Sequence, residues 1–396
     1  MTTTIHGTVA PGFDAVAAAF RSAFDGKPEM GAALAVHHRG KPVIDLWGGL
    51  ADPRTGAVWS ADTLSVIFSC TKGLVSILVA RLVREGKLDY AARVADYWPE
   101  FAAAGKADIR LRDILAHRSG LSAPREPLTV EELTDWDVVV ARLAAQEPLW
   151  TPGTGHAYHA ITHGWLAGEV IRRVTGRTVG GYFADLIAAP LRAEAWIGLP
   201  STELDRVAHL RIGQTLAEQA AQLAAARTPG VVDWSDRALT LGGALPVGLA
   251  GDHEGFNSRA IQSAEIPGAG GIATARALAQ IWSATVVETD GVRLLDDDTL
   301  AVATAVQSQG KPVWDVPGPW PSWGMGFEVD SDARKFLTPG GFGHGGAGGQ
   351  TTFADPRAEV GFAFLTNQLE GKGDQRAARI VDALRTALAA RRPPPR

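Results

Sequence analysis

The sequence predicts an α/β protein of the α+β kind: an antiparallel sheet flanked by helices, with a mostly helical domain inserted. Two observations predict it. Strand-like segments cluster at the two ends of the chain, and helical patterns dominate from about Leu88 to Thr240. Elements distributed this way pack economically when both ends feed one sheet and the middle forms its own lobe. Residues 1–87 and 250–396 are therefore expected to form a discontinuous sheet domain and residues 88–249 a helical domain, with the active site between them. A chain of 396 residues is long enough for two such lobes.

Each element has its own signal. Phe13, Val16, Ala17, Phe20 and Phe24 recur at helical spacing and predict an amphipathic helix. The apolar runs 32–38 and 41–47 flank Arg39-Gly40, a hairpin signal, with Pro42 pointing to an edge or a strand start. A helix is expected between Val66 and Lys87, apolar almost all round from Gly73 to Ala80 and stopped near Gly86, so it should be buried centrally. Helices follow at 111–116, 130–146, 160–174 and 216–226. The Gly- and Pro-dense stretch 241–271 reads as a long connection. After it come helices at 274–286 and 298–306, strands at 324–329, 350–354 and 359–366, and a last helix at 375–390.

Composition narrows the function. The hydrophobic fraction of 46% and charged fraction of 20% are those of an ordinary soluble globular protein. A net charge of -5, with no basic cluster among aromatics, gives no reason to expect nucleic acid. The basic tail Arg391–Arg396 is short and reads as frayed. Cys70 is the only cysteine, so no internal disulfide forms. The N-terminus lacks a charged region followed by an apolar one, and no run approaches the roughly 20 apolar residues of a membrane span; a cytoplasmic location is expected.

Ser69-Cys70-Thr71-Lys72 places a hydroxyl and an amine three residues apart, hence on one helix face, near a helix start. There the unpaired N–H groups and positive dipole end favour developing negative charge, which suits a serine nucleophile served by a lysine base. The spacing alone is weak, because Ser308-Gln309-Gly310-Lys311 repeats it where Gly310 and Pro312 oppose a helix. Tyr158 follows the turn Pro152–Gly155 at a helix entrance, either as a proton-relaying phenol or as a buried aromatic with a satisfied hydroxyl. His156, His159 and His163, at i, i+3 and i+7, could share a face as metal ligands, but no His-Glu-x-x-His pattern or cysteine accompanies them, so surface or capping roles are expected. Gly268–Ala273 only superficially resembles a dinucleotide fingerprint, since Pro267 precedes it and no clear strand leads in. The glycine-rich stretch 341–349 would let a ligand approach the backbone, or is simply a tight turn. Trp314, Trp320 and Trp323 lie on a proline-rich loop and could wall an apolar pocket or form a packed cover. No Gly-x-Ser-x-Gly elbow and no Walker A loop is present.

In order, Ser69-x-x-Lys72, Leu115-Ala116-His117-Arg118-Ser119-Gly120-Leu121, Tyr158 and His344-Gly345-Gly346 resemble the serine β-lactamase and penicillin-binding-protein superfamily, and within it the class C-like family VIII carboxylesterases. The resemblance covers roughly Met30 to Gln368 and implies the β-lactamase/transpeptidase-like fold. It implies Ser69 as the acylated nucleophile, Lys72 as its base and Tyr158 as the hydroxyl completing the relay. It also implies an oxyanion hole from the backbone N–H groups of Ser69 and Ala347, with His344, Gly345, Gly346, His159 and Trp323 at the substrate. Two departures bear on specificity. The family's Tyr-x-Asn reads Tyr158-His159-Ala160, and its Lys-Thr-Gly reads His344-Gly345-Gly346, which replaces a permanent cation by a mostly neutral imidazole. The expectation is a cofactor-free and metal-free serine carboxylesterase whose partner is a small neutral ester, with β-lactam or amide hydrolysis or acyl transfer as the alternatives.

Overall fold

The computed structural model describes residues 3–226, 228 and 230–391. The expected fraying of the tail therefore falls almost wholly outside the described residues. The large sheet is antiparallel and runs in the order Ile5–Val9, Lys41–Asp52, Gly31–His38, Val360–Thr366, Thr351–Asp355, Phe342–Gly345, Glu328–Val329, Ser322–Trp323, with Ala57–Val58 added beside Lys41–Asp52. Its strands come from the first 58 residues and from 322–366, as the clustering at the two chain ends predicts.

Alternation sorts the sheet's side chains between two cores. Leu34, Val36, Phe353, Phe362 and Phe364 pack against the helices Asp14–Ser22 and Arg376–Ala389 on one face. Ala33, Ala35, Phe342, Ala354, Ala363 and Leu365 join the larger core on the other, with the helices Cys70–Arg84 and Ala275–Val286. Between Ala57–Val58 and Ser322–Trp323 the chain is mostly helical. A three-stranded sheet ties 65–66, 271–273 and 195–197 together within that stretch, and 211–212 pairs in parallel with 368–369, which joins it to the C-terminal flank.

Several elements differ from expectation for identifiable reasons. Pro42 sits at a strand start, one of the two places expected for it, beside a bulge opposite Val36 and His37, while the edge beyond it is formed by Ile5–Val9, a strand not anticipated. The 130–146 helix is two helices, because Asp135 caps Trp136–Ala145 by accepting from the Asp137 and Val138 N–H groups. Of the strand expected at 324–329 only Glu328–Val329 forms, and a separate two-residue strand, Ser322–Trp323, precedes the range. The stretch 342–345 is itself a strand despite two glycines, held by Thr351–Asp355 on one side and Glu328–Val329 on the other. None of the helices is long and apolar enough to cross a membrane among the described residues.

Candidate active site

Ser69 immediately precedes the Cys70–Arg84 helix, a buried helix whose first residues pack on every side. Phe68, before it, adopts φ 46°, a conformation costing about 1–3 kcal/mol for a residue with a side chain. Complete burial against Phe256, at 5.2 Å between rings, holds it there. Thr71 anchors the turn: its hydroxyl donates to the Phe68 carbonyl (2.5 Å) and accepts from the Gly271 N–H (2.9 Å).

Lys72 is fully buried, and desolvation holds its pKa well below the usual lysine range. Cys70 opposes the shift more weakly than burial drives it. Its Nζ lies 2.5 Å from the Ala160 carbonyl, 2.6 Å from the Gly268 carbonyl and 3.1 Å from Ser69 Oγ. A neutral amine has two N–H groups and one lone pair. Nζ donates to all three oxygens; a neutral amine that kept both carbonyls as acceptors would have only its lone pair left for the Ser69 hydroxyl proton.

Tyr158 flanks the same pair. Its ring centroid is 4.8 Å from Lys72 Nζ, and it stacks on Trp323 at 5.1 Å with 10° between planes. Burial pushes the phenol pKa above its ordinary range, against a lowering hydrogen bond with Ser69. The phenol therefore keeps its proton at neutral pH.

The glycine triplet closes the other side. A Cβ on Gly346 would lie 2.6 Å from the Ile67 carbonyl and 3.2 Å from Cys70 Sγ, so only glycine lets this backbone approach the turn before Ser69. Cys70 Sγ donates to the His344 carbonyl at 3.2 Å, joining helix and strand directly. Burial pushes the Cys70 thiol up to about 12, so it is packing and not a second nucleophile. Neither the Ser69 nor the Ala347 N–H has a backbone acceptor among the turn and loop bonds of the described residues. Gly346→Ala should push the strand off the helix and lower kcat by about 100-fold, the scale of a lost oxyanion donor, with near-normal KM; unchanged kcat would mean that the approach is not needed.

The histidines are differently placed than the spacing suggests. The helix begins at Thr162, so 156–161 is loop and the i, i+3, i+7 relation puts nothing on one face. His159 and His163 are wholly buried and His156 nearly so, none at a helix surface. His159 Nδ1 lies 2.6 Å from the Ala157 carbonyl and Nε2 lies 2.8 Å from Ser119 Oγ. Both nitrogens of the wholly buried His159 ring are therefore engaged within the protein. His117, which packs edge-on to Tyr158 (5.0 Å) and Trp323 (4.6 Å), accepts the His159 backbone N–H through Nδ1. His344 packs beside Trp323 (5.4 Å) and Tyr158 (6.1 Å), with Nδ1 against the Gly345 carbonyl at 2.7 Å.

Burial pushes His344 down to about 4 and His159 down to about 3. Both folded-state values lie below the unfolded value near 6.5, so the stability they lend is complete above that pH and drains as pH falls toward 4. The urea midpoint should therefore drop between pH 7 and pH 4.5; a flat profile would contradict neutral burial.

Trp314, Trp320 and Trp323 line a cavity of about 200 Å³ together with Tyr158, Ala160 and Leu239. The proline-rich loop is thus a wall beside the site. Clefts of about 560 and 880 Å³ elsewhere share none of these residues. The second Ser-x-x-Lys is not a site: Ser308 Oγ donates to the Ala116 carbonyl, while Lys311 pairs with Asp315 at the surface.

Comparison with known proteins fits this geometry. The Beta-lactamase family matches residues 20–386. The chain belongs to that family. It is 36% identical over 372 residues to Esterase/beta-lactamase LipL of Mycobacterium tuberculosis (strain ATCC 25618 / H37Rv), covering 92% of this chain and 83% of that protein. Among solved structures it is similar to a family VIII carboxylesterase (TM-score 0.85, 36% identity, 97% of this chain and all of that one). A penicillin-binding protein homolog from Caulobacter crescentus matches equally well in shape (TM-score 0.85, 35% identity, 97% of this chain and 100% of that one). The β-lactamase-like fold expected from the ordered motifs is the fold observed.

Proposed function

We propose that this family member is a serine carboxylesterase acting on neutral short-chain esters through an acyl-enzyme. The observation that supports the reading is the fully buried Lys72 amine, which lies 3.1 Å from Ser69 Oγ and donates to the Ala160 and Gly268 carbonyls, so that its neutral form would have a lone pair for the Ser69 proton. Ser69 Oγ attacks the ester carbonyl carbon as its proton passes to Lys72 Nζ. The resulting oxyanion accepts from the Ser69 and Ala347 N–H groups. Tyr158 then gives its phenolic proton to the departing alkoxide and is reprotonated from Lys72, leaving Ser69 acylated. Water reverses the relay and releases the carboxylic acid.

Substrate class follows from what surrounds the relay. His344 is uncharged, so it offers no permanent cation to a β-lactam or peptide carboxylate, and Ala160 has no side-chain amide for an acylamino group. The tryptophan-walled cavity suits a short apolar group. The esterase names of the relatives support the same class. The test compares nitrophenyl butyrate with nitrocefin: the reading requires faster ester turnover, and nitrocefin turnover equal to it would favour a β-lactam hydrolase instead.

A further inference from the structure

The strand bearing the glycine triplet loses its backbone partner where the chemistry begins. Glu328–Val329 pairs with it only at Gly343 and Phe342. The next N–H on that edge belongs to Gly345, and it donates to Glu328 Oε2 at 2.9 Å. The strand ends at Gly345, but Gly346 is still extended (φ -104°, ψ 157°) and its own N–H donates to the Gln350 carbonyl on the other side, so the Ala347 N–H, at the start of a 3-10 turn, points to the same side as that of Gly345. The Glu328 side chain thus stands in for a missing strand beside the oxyanion hole.

That carboxylate is buried, 5% exposed, and its Oε1 accepts from Arg334 Nε at 3.3 Å. The Arg334 guanidinium lies against Gly345, where any Cβ would overlap it. Burial pushes the Glu328 carboxyl up, but Arg334 and the Gly345 N–H help outweigh it and hold the group below its usual range, and Glu328 raises the guanidinium in turn, so both remain ionised. The pair acts on Tyr158 with opposite signs, the carboxylate raising its pKa and the guanidinium lowering it. A glutamine would satisfy the Gly345 N–H without an ion pair, and buried ion pairs are seldom a net source of stability. An unpaired carboxylate here would oppose negative charge on the reacting oxygen.

We propose that Glu328 and Arg334 are positioning residues for the oxyanion hole. The carboxylate pins the open edge through the Gly345 N–H so that the Ala347 N–H faces Ser69, and the guanidinium cancels its charge. The proposal rests on the esterase reading above, and two variants of opposite charge balance separate the two. In Arg334→Met, kcat for nitrophenyl butyrate should fall about 10-fold or more while KM stays near the wild-type value. The double variant Glu328→Gln/Arg334→Met should recover most of that loss, since the amide still accepts from Gly345 and no charge remains. Wild-type kcat in Arg334→Met, or a double variant no better than the single one, overturns the proposal while leaving the esterase reading intact. Should Arg334→Met not fold, Glu328→Ala/Arg334→Met against Glu328→Gln/Arg334→Met decides: the alanine form should be about 10-fold slower, and equal kcat overturns the pinning role. A wild type inactive on every ester overturns both readings.

Discussion

Ser69→Ala should lower kcat for nitrophenyl butyrate by about a million-fold while leaving the fold intact, the scale seen when a catalytic serine is removed. The two halves of that expectation come from different features. Activity is lost because nothing replaces the hydroxyl: the adjacent Cys70 thiol is buried, pushed up to about 12, and bound to the His344 carbonyl. Stability is kept because the Ser69 side chain caps no N–H of the helix it precedes. Circular dichroism should show an unchanged unfolding curve, and residual activity above about one part in a thousand would place the nucleophile elsewhere.

Lys72→Met should cost about 1,000- to 10,000-fold in kcat, the range for loss of a positioned general base. It also carries a thermodynamic signature. Lys72 has a folded pKa below its unfolded value near 10.5, so between the two the unfolded chain binds more protons and stability rises with pH. Methionine removes that contribution. The wild-type urea midpoint should therefore gain more between pH 7 and pH 9.5 than that of Lys72→Met. Identical slopes would show that Lys72 is not desolvated, and the assignment of the neutral amine as base would fall with it. The kinetic counterpart is a wild-type kcat/KM that declines as pH drops and Lys72 protonates.

How much of this is legible in the sequence varies with the kind of signal. Ser69, Lys72, Tyr158 and the 344–346 triplet are chemistry carried by side chains or glycines in fixed order, and the structure gathers them. The two carbonyls that orient Lys72, from Ala160 and Gly268, leave no residue signature because any residue supplies a carbonyl. Gly268 belongs to the stretch with a dinucleotide-like glycine pattern, and its contribution is an acceptor, not a phosphate cradle. His159 misleads because its role depends on where a helix starts; a start at Thr162 turns a periodic pattern into a loop. Glu328 and Arg334 are invisible for a further reason. Their pairing depends on a two-residue strand ending beside Gly343, a register that periodicity does not specify. At the fold level the glycine-containing strand 342–345 defeats propensity, since its place is secured by neighbours on both sides.

The central claim is that Ser69 carries the acyl group, and the most direct measurement is the mass of the intact protein after treatment with a fluorophosphonate, followed by peptide mapping. A single adduct is expected on the peptide containing Ser69, formed at the rate at which ester hydrolysis is lost and absent from Ser69→Ala. Loss of activity without an adduct, or an adduct on any other residue, would contradict it.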